Sequence, residues 1–170
     1  MLGRKNETWE ESLGHLTLPD GSKPDVTALE PLKIGYRSTH EIMIAAKNVI
    51  GEHSANTEWQ STRHGAPVDV FRFRERGAMI AFLAETLNDL SIREPLASVA
   101  VLTRTPEAAE LIYEGLKLTD LADYRIIREQ EFTFTPGIDV TDITQTKGLE
   151  FDSVIIADAD ASTYGPDIRS

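Results

Sequence analysis

Apolar residues recur along this chain in two rhythms. The first is helical. Ile42, Ala45, Ala46, Val49 and Ile50 follow Ser38 and Glu41, which are spaced as an N-cap and its capping-box partner, and Gly51 offers a stop. Met79, Phe82, Leu83, Leu87 and Leu90 set a second helix over residues 77–90, and a stripe of this kind marks a core. Thr105-Pro106 starts a third, with Thr105 as cap, Pro106 in the first turn, and Leu111, Ile112 and Leu116 as its buried face. The second rhythm belongs to strands. Ser98–Thr103 and residues 153–157 are short apolar runs that predict buried strands, while 68–73, 124–127, 131–135 and 138–144 also have strand character. The polar stretch 52–66 predicts a loop.

Strand, helix, strand, helix, strand predicts an α/β domain with a mainly parallel sheet. In such sheets ligands gather at the carboxyl ends of the strands. Three polar segments stand at helix starts or strand ends: Tyr36-Arg37, Arg104-Thr105, and Thr144 to Glu150. Residues 1–30 hold no period. Pro19, Gly21 and Pro24 punctuate them and Pro31 follows, so they predict an entry segment or linker, with Trp9 and Leu13 beginning a short helix.

Composition narrows the classes. A chain of 170 residues, 41% hydrophobic and 26% charged, can bury one good core. No apolar run is long enough to span a bilayer, and no signal segment opens the chain. Cysteine is absent, which excludes disulfides and thiolate metal sites and fits a cytoplasmic setting. His15, His40, His53 and His64 show no metal-ligand spacing and predict surface or capping positions. The formal net charge of −11 argues against strong DNA binding by the chain alone, because autonomous binders carry a basic face. Its plainest role is solubility.

Residues 147–152 read Lys-Gly-Leu-Glu-Phe-Asp between two strand-like runs. A cation, a glycine and a carboxylate on one turn suit a nucleotide or a phosphate backbone. Gly148 permits close backbone approach or a positive φ. Leu149 and Phe151 are read as anchors of the turn.

Three segments, in this order, resemble the second RecA-like motor domain of UvrD/Rep-type superfamily I DNA helicases. Lys33 to Thr39 (KIGYRST) is similar to the family's NYRST segment, with Gly35 where Asn is usual. Ala100 to Thr105 (AVLTRT) resembles its AVLxRT strand, and Thr146 to Phe151 (TKGLEF) its KGLEF segment. The resemblance implies a three-layer RecA-like fold over residues 31–170, incomplete at its C-terminus. The chain has no Gly-x-x-x-x-Gly-Lys-Ser/Thr phosphate loop. ATP and Mg²⁺ would therefore be held mainly by a first motor domain that this chain does not contain, and the chain alone would be inactive.

The resemblance also implies roles. Arg37 would be the catalytic cation that meets the γ-phosphate, a task suited to a group that stays charged and forks onto two oxygens. Tyr36 would stack on the adenine. Glu150 would accept from ribose hydroxyls, and Gly148 would shape the backbone beside it. Arg104, Thr105, Thr144, Thr146 and Lys147 would contact single-stranded DNA, largely through phosphate oxygens. Two positions depart from the pattern: the family's frequent histidine falls at Thr144, and the threonine two residues before it falls at Asp142. Trp9 and Trp59 are read as packing residues. Asp158 and Asp160 mark a solvated strand exit, since Mg²⁺ ligands in this family belong to the first motor domain. No metal site is expected here.

Only ~40 residues separate Arg104 from Lys147, too few for the large subdomain that Rep-type members insert there. That spacing suggests a branch that lacks the insertion, such as the bacterial RNA-polymerase-associated helicase-like proteins or shorter helicases of the same superfamily. The leading expectation is an ATP-dependent DNA helicase. The alternatives are an ATP-driven remodeller with RNA polymerase as partner, and a subunit of a helicase–nuclease. Nothing suggests a membrane partner.

Overall fold

The computed structural model describes residues 17–23, 34–35, 37–50 and 60–159. Expectations at Trp9, Leu13, His15, Pro24, Pro31, Tyr36, Gly51, His53, Trp59 and Asp160 lie outside the described residues. The chain divides into two compact units, Met1–Val70 and Phe71–Ser170.

In the first unit, strand β1 (Ile34–Gly35) pairs in parallel with β2 (Gln60–Ser61), Ile34 opposite Gln60 and Gly35 opposite Ser61. Part of the predicted loop 52–66 is thus a strand. Helix α1 (His40–Ile50) follows β1. Its cap is Thr39 and not Ser38: the Ile42 N–H donates to Thr39 Oγ1 at 3.4 Å. The predicted capping box does not form, because the Glu41 carboxylate accepts from the Gly65 N–H at 2.8 Å. The expected apolar face is mostly open. Ile42 and Val49 are exposed, and Ala45 and Ala46 are half-buried. Residues 68–70 form no strand.

The second unit is a sheet of four parallel strands in the order β4-β5-β3-β6: β3 is Ser98–Thr103, β4 Tyr124–Ile126, β5 Gly137–Asp142 and β6 Ser153–Ile156. Two helices, α2 (Arg76–Arg93) and α3 (Pro106–Leu116), share one core with them. Ile80, Leu83 and Leu87 of α2 and Ala109, Ile112 and Leu116 of α3 meet Val99, Val101, Ile138 and Val140 of the sheet. Burying each large aliphatic side chain contributes about 1.5–3 kcal/mol. Leu111 is exposed, one position off the stripe that Ile112 and Leu116 bury. Phe71 and Phe73, read as strand residues, instead pack irregular backbone onto Phe82, with ring centroids 4.7 and 5.3 Å away.

Residues alternate across a strand, so Ala100, Arg125, Asp139 and Thr141 face away from α2 and α3. On this second face the connection from β4 to β5 is tied down at Arg125. Arg125 is bonded to Asp139 and reaches the Thr135 hydroxyl and carbonyl at 3.0 and 2.8 Å. The connections from β4 to β5 and from β5 to β6 touch each other, Gln130 at Gln145 and Phe132 at Phe151. Residues 131–135 therefore form a crossover and not the expected strand. β6 lies at the sheet edge and is not the buried strand expected, since Val154 and Ile156 are exposed. Among the described residues no helix is long and apolar enough to cross a membrane.

Candidate functional site

The sequence-predicted site residues fall in both units. In the first, Arg37 is exposed on the turn between β1 and α1. Residues 61–65 lie along this turn. Ser61 Oγ donates to the Ser38 carbonyl at 2.6 Å, and Arg63 Nη1 donates to the Arg37 carbonyl at 3.1 Å. The His40 N–H donates to the Arg63 carbonyl at 2.8 Å. His64 Nδ1 lies 3.1 Å from Glu41 Oε1, and its ring stands 5.2 Å from that of His40. The Gly65 N–H, Glu41's own N–H and His64, in that order, draw the Glu41 carboxyl from 4.5 down to about 2. Of these partners only His64 was named in the sequence, as a surface or capping histidine; Ser61, Arg63 and Gly65 were not singled out. They lie about two dozen residues away in a stretch that has no period.

In the second unit Arg104, Thr105 and Thr144 stand at the carboxyl ends of the neighbouring strands β3 and β5, while Thr146 to Glu150 lie on the connection that runs on to the start of β6. Thr103 of β3 is level with Asp142 of β5, and the Ile143 N–H donates to the Thr103 carbonyl at 2.9 Å. That brings the start of the 143–152 connection beside Arg104-Thr105. Arg104 is exposed. Thr105 Oγ1 accepts from the Ala108 N–H at 3.3 Å, so Thr105 caps α3 as expected and Pro106 occupies its first turn.

Asp142, the departure from pattern, is 1% exposed. Its carboxylate accepts from the Thr144 hydroxyl, from the Thr144 N–H at 3.0 Å and from Gln145 Nε2 at 2.9 Å. Burial alone would raise its pKa, but these hydrogen bonds outweigh burial and hold it below the ordinary aspartate value. The negative charge is thus turned inward. Gln145 in turn accepts at Oε1 from the Gln130 N–H at 2.7 Å. Glu129 and Gln130 both hold positive φ, so this contact pins a backbone conformation that L residues seldom adopt.

Thr146 Oγ1 donates to the Ile143 carbonyl at 3.1 Å, and the Leu149 N–H closes a turn on the Thr146 carbonyl at 3.0 Å. Lys147 and Glu150 are exposed on this turn, while Leu149 and Phe151 are half-buried. Gly148 has φ +87° with open space where a Cβ would stand. Of its two predicted reasons, backbone conformation is the one the structure displays. The turn ends on Asp152, whose Oδ2 accepts from the Ser98 N–H and hydroxyl, both at 2.8 Å. The Ser98 N–H foremost, then its hydroxyl, lower the Asp152 pKa. Asp152 therefore fastens the connection to the start of β3. Asp158 is half-buried at φ +56°, just after the end of β6. Among the described residues no three His, Asp or Glu side chains converge as a metal site would require.

A parallel sheet with helices on one face and polar turns leaving the carboxyl ends of β3 and β5 defines an α/β domain of the RecA-like class. The chain belongs to the UvrD-like helicase C-terminal domain family, whose model matches residues 31–137. The segments around Arg37 and Arg104 lie inside that span, and the turn at 146–151 lies past its end. No curated protein sequence matches the chain.

Proposed function

We propose that this domain is the second motor domain of an ATP-dependent DNA helicase. It completes an ATP site whose phosphate loop and Mg²⁺ ligands belong to a first motor domain, and it contacts single-stranded DNA. The observation that carries this reading is Arg37: an exposed arginine on the turn between β1 and α1, inside the family-matched span. Positive charge aimed at the departing γ-phosphate is what phosphoryl transfer needs. In this reading Tyr36 meets the base, and Gly148 and Glu150 shape the turn that accepts the ribose. Arg104, Lys147 and the hydroxyl-bearing residues Thr105, Thr144 and Thr146 border the DNA path. The chain on its own is inactive.

One observation favours a second reading. The Thr144 hydroxyl and the Gln145 amide are directed at Asp142 inside the loop, and the chain is strongly acidic. A motor that remodels a protein partner such as RNA polymerase would have less need of polar groups offered to a strand. Steady-state ATPase of the full-length protein, with and without single-stranded DNA, separates the two. The helicase reading gives strong stimulation by the strand together with displacement of a duplex. Turnover indifferent to DNA, with no displacement, would leave the remodelling reading in its place.

A further inference from the structure

β1 and β2 form a ladder only two residues long, a weak hold for the turn that follows it. The turn is secured instead by residues 61–65, the end of β2 and the segment that follows it. Ser61 bonds the Ser38 carbonyl and Arg63 bonds the Arg37 carbonyl, while the Arg63 carbonyl receives the His40 N–H. Gly65 and His64 then close on Glu41 in the first turn of α1. Apart from the Arg63 side chain, which reaches back to Arg37, the contacts run in order along both segments, as a strap runs along a belt.

We propose that residues 61–65 are a positioning strap and that Arg63 is a positioning residue for Arg37. The proposal rests on the reading of Arg37 as the cation that meets the γ-phosphate. Arg63 holds the oxygen of the peptide unit that begins at the Arg37 Cα, and so fixes the root from which the Arg37 side chain extends. Such fixing matters because a cation that stabilises a transition state must be held to within ~0.5 Å. A displacement of ~1 Å can lower a rate by ~10²-fold. Lys at position 63 can offer one N–H to the same carbonyl but lacks the rigid planar fork, so it should restore part of the effect.

The test is ATP hydrolysis by the full-length protein carrying Arg63→Ala, Arg63→Lys, Arg37→Ala or both alanines. Arg63→Ala should lower kcat by ~10- to 100-fold. The KM for ATP should stay within about twofold, because the interaction lost belongs to the transition state. Arg63→Lys should recover part of that loss. In the Arg37→Ala background, Arg63→Ala should change kcat by less than about twofold, because the group it positions is gone. Ser61→Ala removes the bond to Ser38 while leaving the backbone ladder, and should show the same dependence on Arg37 with a smaller loss. Wild-type kcat in both Arg63→Ala and Ser61→Ala would overturn the strap. So would a full loss from Arg63→Ala when Arg37 is already absent. Near-normal turnover in Arg37→Ala alone is a different result, and it would overturn the reading of Arg37 itself.

Discussion

Gly65 and Thr39 meet so closely that a Cβ on Gly65 would stand 2.8 Å from Thr39 Cγ2. Thr39 is β-branched and already committed through Oγ1 to the cap of α1, so it has little room to turn away. Gly65→Ala should therefore push the strap off the helix start or move Thr39 from its capping rotamer. The expected cost is about 1–2 kcal/mol. Chemical denaturation of the domain followed at a helix-sensitive wavelength checks it, and an unchanged midpoint would show that the contact is slack.

Acid should loosen the same junction. The Glu41 carboxyl is drawn to about 2, first by the Gly65 N–H. A carboxylate with a depressed folded-state pKa contributes stability above its unfolded value of 4.5, and loses that contribution as pH falls from there toward 2. The Gly65 amide proton, followed by NMR against pH, should titrate with a midpoint near 2. Glu41→Gln should abolish that titration. A midpoint near the ordinary glutamate value would show that the contact does not persist in solution.

On the second face of the sheet, Arg125 is paired to Asp139 with side-chain exposures of 30% and 7%. Removing one member of a fully buried pair costs about 3–5 kcal/mol. Arg125 retains some water, so Asp139→Ala should cost about 2–3 kcal/mol, below that range. Urea unfolding at neutral pH should show the loss with little change in slope.

Asp142 reaches the far crossover through Gln145. Asp142→Ala should release the Gln145 amide, and with it the Gln130 N–H. Loss of one such bond is worth about 1 kcal/mol, so exchange of the Gln130 amide hydrogen should quicken by about five- to tenfold. Hydrogen exchange on the purified domain reads this directly, and unchanged protection would mean that Gln145 holds its place without Asp142.

Much of the second unit was legible because its elements are locally encoded. Thr105-Pro106 starts α3 where its cap and first-turn signals place it, and Ser98–Thr103 matches its predicted bounds. The failures have a common cause in partners that a local pattern does not contain. Val70 suits a strand by residue type, yet it is exposed and residues 68–73 pair with no strand. Phe132 and Phe134 alternate as strand residues do, but left-handed φ at Glu129, Gln130 and Phe134 bends the chain into a crossover. Glu41 bonds Gly65 instead of its own helix start, and no local spacing foretells that.

The candidate site was legible in a similar way. Its residue types and order along the chain were visible, and so was the oddness of Asp142. The inward aim of the Asp142 carboxylate was not, because its two partners become donors only once the loop has folded over the end of β5. The strap was not legible either: Ser61, Arg63 and Gly65 stand in a polar stretch whose meaning is the turn it lies against.

In the helicase reading Arg37 completes an ATP site held by another domain. Single-turnover ATP hydrolysis by the full-length protein, wild type against Arg37→Ala, with ATP binding measured in parallel, tests it most directly. The hydrolysis rate should fall by on the order of 10³-fold or more in Arg37→Ala, with ATP binding still measurable. Hydrolysis at a near-normal rate in Arg37→Ala would contradict it.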